Sequence, residues 1–301
     1  MRLYTGSRRA YLVRFGFFLA AGILVAAPSL SADSASFDPR AVALIERFAE
    51  AWKKTPGATF RVSKIERLRD GGERFERSFV KLKKPGMIYM AIEKPRAGTE
   101  ALYVLARDPD KLIAHRGHFP DVTVKLDIHG GLALRDQHHP ISHTDLQYTI
   151  DILRSALERA RREPRGERLE YGGKGEVDGR PAKIVRLYGG NRPVELVRAR
   201  RSEKLFDFAA RVGMDAYVIF AANPKIHSLT SVLKEGESYA VPPYYGHKTE
   251  MVFDAATGLL LSQAIWNDQG ELYERYDYSD MKPGAPLNDV DFDRKNPAYH
   301  F

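Results

Sequence analysis

Six of the nine histidines fall between residues 115 and 143: His115, His118, His129, His138, His139 and His143. Asp121, Asp127, Asp136 and Asp145 are interspersed among them. Imidazole nitrogens and carboxylate oxygens are the donors of zinc-class hydrolytic sites, which leave a coordination position open for water. A metal-dependent hydrolase built on 115–143 is therefore one chemistry open to this chain. The spacing does not favour it. No pair matches the helical H-E-x-x-H arrangement, and His115 and His118, three apart at a strand end or turn, need not converge. His138-His139-Pro140 fits better as the turn leading into the next helix. Other chemistries lack their residues: there is no G-x-S-x-G nucleophile, and Gly130-Gly131 and Gly172-Gly173 lack the setting of a phosphate loop. With no cysteine, thiol catalysis, disulfides and cysteine-rich metal sites are excluded. Acids are plentiful, but no pair stands out as a glycosidase acid and base. A binding protein is the better expectation than an enzyme, with no cofactor.

A second group of residues points to sugar. Leu205, Phe208, Ala209 and Val212 recur at i, i+3, i+4 and i+7, one buried helix face, and Gly213 suits a left-handed stop. Asp215 can cap a second short helix holding Val218, Ile219 and Ala222, which Asn223-Pro224 ends. Val194–Val197 and Glu237–Val241 can pair as flanking strands, giving β-α-α-β. This unit, with Ser202-Glu203-Lys204 before the first helix and Gly236 six residues before Pro242, resembles a LysM module. LysM modules hold N-acetylglucosamine-containing glycans between the loop before the first helix and the loop after the second. The resemblance implies a glycan site walled by Ser202, Glu203, Lys204 and Leu205, and opposite them by Asn223, Pro224, Lys225 and Ile226. Backbone groups would take the acetamido groups, while Leu205 and Ile226 cover the apolar sugar face.

The elements that must position these groups read as a long antiparallel sheet and two helices. Asp38 and Pro39 open a helix over 38–53 with Leu44, Ile45, Phe48 and Trp52 on one face. Strand character runs to about residue 128. It is clearest where Val122, Val124, Leu126 and Ile128 alternate with Thr123, Lys125 and Asp127, a strand with one wet face. A helix over about 143–162 buries Leu146, Ile150, Leu153 and Leu157, with Ser142 and Asp145 near a capping box and Arg159, Arg161 and Arg162 suiting its C-terminus. A strand over 183–188 follows. Lys248–Asp254, Leu259–Trp266 and Glu271–Ser279 form a meander with Gly258 and Gly270 in its turns. The aromatic residues Tyr239, Tyr244, Tyr245, Trp266, Tyr273, Tyr276 and Tyr278 suit strand packing better than sugar stacking.

Helix, antiparallel run, helix and further strands resemble the LolA-like fold, in particular along Phe253-Asp254-Ala255-Ala256-Thr257-Gly258-Leu259 and Asp268-Gln269-Gly270. Leu102-Tyr103-Val104, Lys111-Leu112-Ile113-Ala114-His115, Gly131-Leu132-Ala133-Leu134-Arg135 and the tail from Asp291 to Tyr299 resemble an uncharacterised bacterial family of exported LolA-like proteins. The resemblance covers about residues 58–301. It implies an α+β fold, a curved antiparallel half-barrel closed by a helical lid, with the β-α-α-β unit inserted. It also implies an acyl lipid or lipoprotein as ligand. The division expected is 32–190 and 246–301 for the LolA-like domain and 191–245 for the insert.

Residues 1–31 read as a signal peptide. Arg2, Arg8, Arg9 and Arg14 precede an apolar run, Phe15–Ala27, that is shorter than the roughly 20 residues of a membrane span. Cleavage is expected near 31–32, by the general or the twin-arginine route, leaving a periplasmic chain without a transmembrane segment. Processing would remove four of the 47 bases and none of the 39 acids, lowering the net charge from +8 to +4. Nucleic acid is therefore not an expected partner; peptidoglycan glycan strands and an acyl lipid or lipoprotein are.

Overall fold

The structure, a computed structural model, describes residues 34–301; the expected signal segment lies outside them. Helix α1 (Pro39–Lys53) begins where the sequence says it must. The Asp38 side chain accepts from Arg40 N at the N-cap and Pro39 occupies the first turn. Its buried stripe is Ala41, Leu44, Ile45, Phe48, Ala49 and Trp52. Strands β2 (Gly57–Arg67), β3 (Glu73–Lys83), β4 (Met87–Lys94), β5 (Thr99–Val104), β6 (Lys111–Arg116) and β7 (Val122–Asp127) then run as an antiparallel meander. Helix α2 (Leu146–Arg162) follows, and strands β8 (Arg168–Val177) and β9 (Arg180–Tyr188) form a hairpin. Near the N-terminus, β1 (Ser36–Phe37) pairs in parallel with β8. Strands β10 (Glu195–Arg198) and β11 (Ser238–Val241) bracket helices α3 (Leu205–Val212) and α4 (Ala216–Ala222). Strands β12 (Lys248–Asp254), β13 (Leu260–Trp266) and β14 (Leu272–Pro283) follow, and a 3-10 turn at Asp289–Phe292 comes last.

One 12-stranded sheet contains all strands but β10 and β11, in the order β1-β8-β9-β12-β13-β14-β2-β3-β4-β5-β6-β7. Strand β14 joins the halves by pairing with β2, as in Glu274↔Glu66 and Tyr278↔Val62. The edges β1 and β7 do not pair, so the sheet is open. It must also be curved. Laid flat at about 4.8 Å per strand it would be roughly 50 Å wide. Yet Val185 of β9, Met251 of β12 and Leu112 of β6 share one core with the stripes of α1 and α2. The concave face wraps the two helices, with Phe48, Trp52, Phe60 and Phe253 fully buried between them.

Three local outcomes differ from the sequence reading. Helix α2 starts at Leu146, because 141–144 forms a tight 3-10 turn and Asp145 is the cap in place of Ser142. Asp145 is held there by two donors, Gln147 N at 2.9 Å and the Trp52 indole at 2.7 Å. Strand β8 was hidden by Gly172, Gly173 and Gly175. Any side chain at Gly172 would place its Cβ 2.8 Å from Ile184 of the neighbouring strand. On β7, Val122 and Val124 stay more than 40% exposed because the strand is an edge, and only Leu126, with Ile128 just past the strand's end, reaches the core.

The convex face of β3–β6 is apolar too, and the C-terminal segment covers it. Tyr89, Leu102 and Phe292 are buried there, with Leu287, Tyr299 and Phe301 packed against them. Tyr299 stacks on Tyr89 at 3.8 Å. The segment is latched by His300, whose Nδ1 lies 2.7 Å from Glu100 Oε1 and whose N–H donates to Oε2 at 3.0 Å. The Glu100 hydrogen bond and charge, with Asp121 nearby, raise the His300 pKa above its ordinary value near 6.5. A raised folded-state pKa stabilises docking fully below about pH 6.5, and the contribution fades as pH rises through the higher value. Proteolysis of the C-terminal segment is thus expected to quicken from pH 6 towards pH 9, and His300→Ala to flatten that dependence; an unchanged profile in the variant would remove the latch.

Candidate functional site

Charged residues sit where a strand pattern would put core residues. Strand β2 turns Phe60, Val62, Lys64 and Glu66 to the concave face, β3 turns Glu76 and Ser78, and β14 turns Glu274, Tyr276 and Tyr278. The register sets Glu274 beside Glu66, Tyr276 beside Lys64, and Lys64 beside Glu76. Glu66, Glu76 and Glu274 are each at most 2% exposed. Buried carboxylates need partners. Lys64 lies 3.5 Å from Glu76 and 3.8 Å from Glu66, and the Tyr276 hydroxyl donates to Glu66 at 2.6 Å.

The loop between β7 and α2 closes over these groups. His138 Nδ1 makes a short contact with Glu274 Oε1, and its Nε2 meets the Arg67 carbonyl at 2.9 Å. The Tyr245 hydroxyl donates to the same Glu274 oxygen at 2.6 Å. That leaves the Tyr245 oxygen to accept from His139 Nε2, 2.8 Å away. His139 Nδ1 then faces Asp215 Oδ2 at 3.4 Å. Asp215 comes from the inserted unit, where its other oxygen caps α4 through Tyr217 N at 2.7 Å and Val218 N at 3.3 Å. The Tyr148 hydroxyl donates to Asp215 Oδ2 at 2.7 Å. Tyr217 stacks on His138, and His143 on Tyr148, each at 3.7 Å.

Burial opposes ionisation of Glu66, but Lys64 and His138 hold its carboxyl below the ordinary range. Glu274 is likewise held low against burial, chiefly by His139 and His138. Burial also works against charge on His139, yet the Glu274 and Asp215 carboxylates lift its pKa well above the usual value. His143 goes the other way, pushed down to about 3 by burial and then by His139. The cluster therefore holds one charged and one neutral imidazole side by side. Burial, reinforced by the carboxylates, raises Tyr245, Tyr273 and Tyr276, so that Tyr245 and Tyr276 stay protonated as donors to Glu274 and Glu66.

A cavity of about 70 Å³ lies at the seam between this cluster and the apolar core. Phe60, Val62, Met90 and Tyr278 form its apolar wall; Lys64, Glu66, Glu76, Ser78, His139 and His143 form its polar wall. His139, His143 and Asp215 each place a ligand atom within 4.8 Å of the others', the one such metal-competent trio among the described residues. His138 stays in the cluster on Glu274, and the other three histidines of 115–143 disperse. His115 bonds Thr123 Oγ1, His118 pairs with Arg116, and His129 stacks on Phe206. None of Asp121, Asp127, Asp136 or Asp145 joins the trio. The carboxylates come instead from Asp215 and Glu274. The available sequence signal was an acid at Glu274 two residues before Tyr276 on an inward strand face.

The inserted unit has the order β10-α3-α4-β11 with an antiparallel ribbon, Leu196↔Ala240. Its own core contains Leu205, Phe208, Ile219, Ile226 and Tyr239 and also takes in Leu134 of the main body. Of the eight residues expected to line a glycan groove, Leu205, Asn223 and Ile226 are at most 4% exposed. Asn223 closes α4, donating to Ile219 O and Ala240 O and accepting from Ala240 N. Arg69 donates to the carbonyls of Ile226 and Asn223. Glu203 is held by Arg211 at 2.7 and 2.8 Å. Ser202, Lys204, Pro224 and Lys225 are exposed.

A family described as a protein of unknown function, DUF1571, matches residues 55–220 and 221–301. No curated protein matches the chain. Among solved structures, LprF from Mycobacterium bovis is 13% identical, with 84% of this chain and 97% of LprF covered and a TM-score of 0.42. MucB in complex with MucA(peri) is 14% identical over 84% of this chain at a TM-score of 0.39, and only 59% of the MucB chain is spanned. The LolA superfamily protein NE2245 from Nitrosomonas europaea is 13% identical over 84% of this chain and 97% of its own, at 0.31. Likeness this distant assigns no role.

Glu274 is the shared acceptor of the cluster. Glu274→Leu strands three donors in a buried place and is expected to cost about 3–5 kcal/mol, as breaking a buried ion pair does. Tyr245→Phe removes two hydrogen bonds but leaves the Glu274 carboxylate its imidazole partners, and should cost less, about 1–3 kcal/mol. Urea unfolding distinguishes them; equal losses would deny Glu274 that position.

Proposed function

This chain belongs to the DUF1571 family, whose function is unknown, and from that premise we propose that it is an exported binding protein of the cell envelope, not an enzyme, that holds an acyl lipid or lipoprotein between the concave face of its sheet and helices α1 and α2. The observation that carries this reading is the two-sided cavity. Its apolar wall continues into the core under α1 and α2, and its polar wall carries Lys64, Ser78, His139 and His143 as hydrogen-bonding groups for a polar head group. At about 70 Å³ it is smaller than the roughly 150 Å³ that accommodates a benzene. An acyl chain therefore enters only when the helices lift from the sheet.

The attachments of α1 suit such a movement. Around an apolar interface they are a few polar bonds: Arg47 to the Ala255 and Ala256 carbonyls, the Trp52 indole to Asp145, and Lys84 to the Trp52 carbonyl. A lipid tail would replace one set of apolar contacts with another. Lipid extraction of purified protein, followed by titration with a fluorescent fatty acid, is the test. Uptake is expected, and it should fall sharply in Met90→Trp, which fills the cavity at an overpacking cost of about 1–3 kcal/mol. If the protein neither carries nor takes up acyl chains, the interior is a filled core and the role is structural.

Attachment to peptidoglycan through a LysM-like insert is the narrower part of the proposal. With Leu205, Asn223 and Ile226 in the insert's core, contact with a glycan would fall to Ser202, Lys204, Pro224, Lys225 and exposed backbone. Co-sedimentation with purified sacculi is expected for the unaltered protein and is expected to weaken in a Ser202→Trp, Pro224→Trp variant that fills the groove. Pelleting that is equal in both, or absent from both, would leave the insert without a role at the wall.

A further inference from the structure

We infer that His139, His143 and Asp215 form a binding site for a zinc-class divalent metal ion, one that ties the inserted unit to the start of α2. The inference does not depend on the acyl reading. Three observations carry it. The first is convergence: each of the three side chains offers a ligand atom within 4.8 Å of the others'. The 3.4 Å between His139 Nδ1 and Asp215 Oδ2 matches the edge of a tetrahedron whose metal bonds are about 2.0–2.2 Å.

The second is a pair of unused nitrogens. His139 Nδ1 and His143 Nδ1 are buried without a hydrogen-bond partner. A buried polar atom left unpaired is costly and calls for a partner. The tautomer agrees. With Tyr245 donating to Glu274, His139 donates from Nε2, which leaves Nδ1 as the position for the metal, and binding there releases the Nδ1 proton of the charged ring.

The third is the surrounding shell. Metal-bound imidazoles characteristically hand their other N–H to a carboxylate or an equivalent acceptor, which fixes ring and tautomer. Here His139 Nε2 meets Tyr245 and, at 3.3 Å, Glu274. Asp215 is fixed by the amides of α4 and by Tyr148, and His143 by stacking on Tyr148. Two imidazoles and a carboxylate suit zinc, nickel or cobalt better than magnesium or calcium, which prefer all-oxygen shells. The buried acids Glu66, Glu76 and Glu274 add negative charge behind the site. His139 and His143 also line the cavity, so a fourth position would open onto a space with room for water.

The probe is zinc, added to chelator-treated, tag-free protein and followed by calorimetry, with cobalt absorption as a report of tetrahedral nitrogen and oxygen ligation. One zinc per chain and a zinc-dependent rise in thermal midpoint are expected. Asp215→Asn should lose the site while keeping α4 capped, since Asn caps a helix as well as Asp. His143→Phe should lose it while keeping the stack on Tyr148. His118→Ala, remote and exposed, should bind as the unaltered protein does. No stoichiometric uptake by the unaltered protein overturns the inference. So does uptake that survives either Asp215→Asn or His143→Phe.

Discussion

The pairing of β14 with β2 places Glu274 directly beside Glu66 on the buried face of the sheet. Two carboxylates cannot share a dry space without donors and positive charge close by, and that requirement organises the rest of this end of the molecule. Lys64 and Tyr276 answer it from the same strands, His138 and His139 from the loop before α2, and Tyr245 from the segment before β12. Each donor, once recruited, fixes more of the chain. His138 pins the loop, Tyr217 stacks on His138, and Asp215 faces His139. The position of the inserted unit is a consequence of balancing charge in the sheet.

The same pairing explains why the interior has two characters. Along β2 the inward row passes from Phe60 and Val62 to Lys64 and Glu66 within four positions of one strand face. Across the sheet, Tyr278 to Tyr276 to Glu274 makes the same passage. The helices cover the apolar side and the loop covers the polar side, and the small cavity lies where the two covers meet. A gradient of this kind suits an amphiphile better than it suits a purely apolar guest.

Much of the architecture was legible locally. The cap, first turn and buried stripe of α1 follow from Asp38, Pro39 and the 3.6-residue spacing, and the C-terminal meander follows from alternation and Gly258 and Gly270. What could not be read was anything resting on contacts far apart in sequence. His138 and His139 looked like turn residues, and His143 like the start of a helix, because their partners, Asp215 and Glu274, arrive from elements 72 or more positions later. Leu205 fitted two readings, a helix stripe and a sugar wall, and Ile226 was read as sugar wall alone. Both are nearly completely buried, packed in the insert's core with Phe208, Ile219 and Tyr239. The glycines of β8 obscured that strand because glycine lowers strand propensity, even though close approach to Ile184 requires one at Gly172.

Asp215 shows how closely folding and site are joined here. One of its oxygens satisfies the orphan amides at the start of α4, a purely local need that any short helix has. The other, held by Tyr148, faces His139 in the main body. A side chain that only capped α4 could point anywhere its second oxygen found water. This one has only 3% of its side-chain surface exposed, so the insert can dock only where a donor or cation meets that oxygen. The main body supplies Tyr148 and His139 at that place, and the two His Nδ1 atoms beside it have no other protein partner. The insert's first requirement and the site's geometry are thus set by a single carboxylate, which is why the unit is docked as part of the body and not hung from a linker.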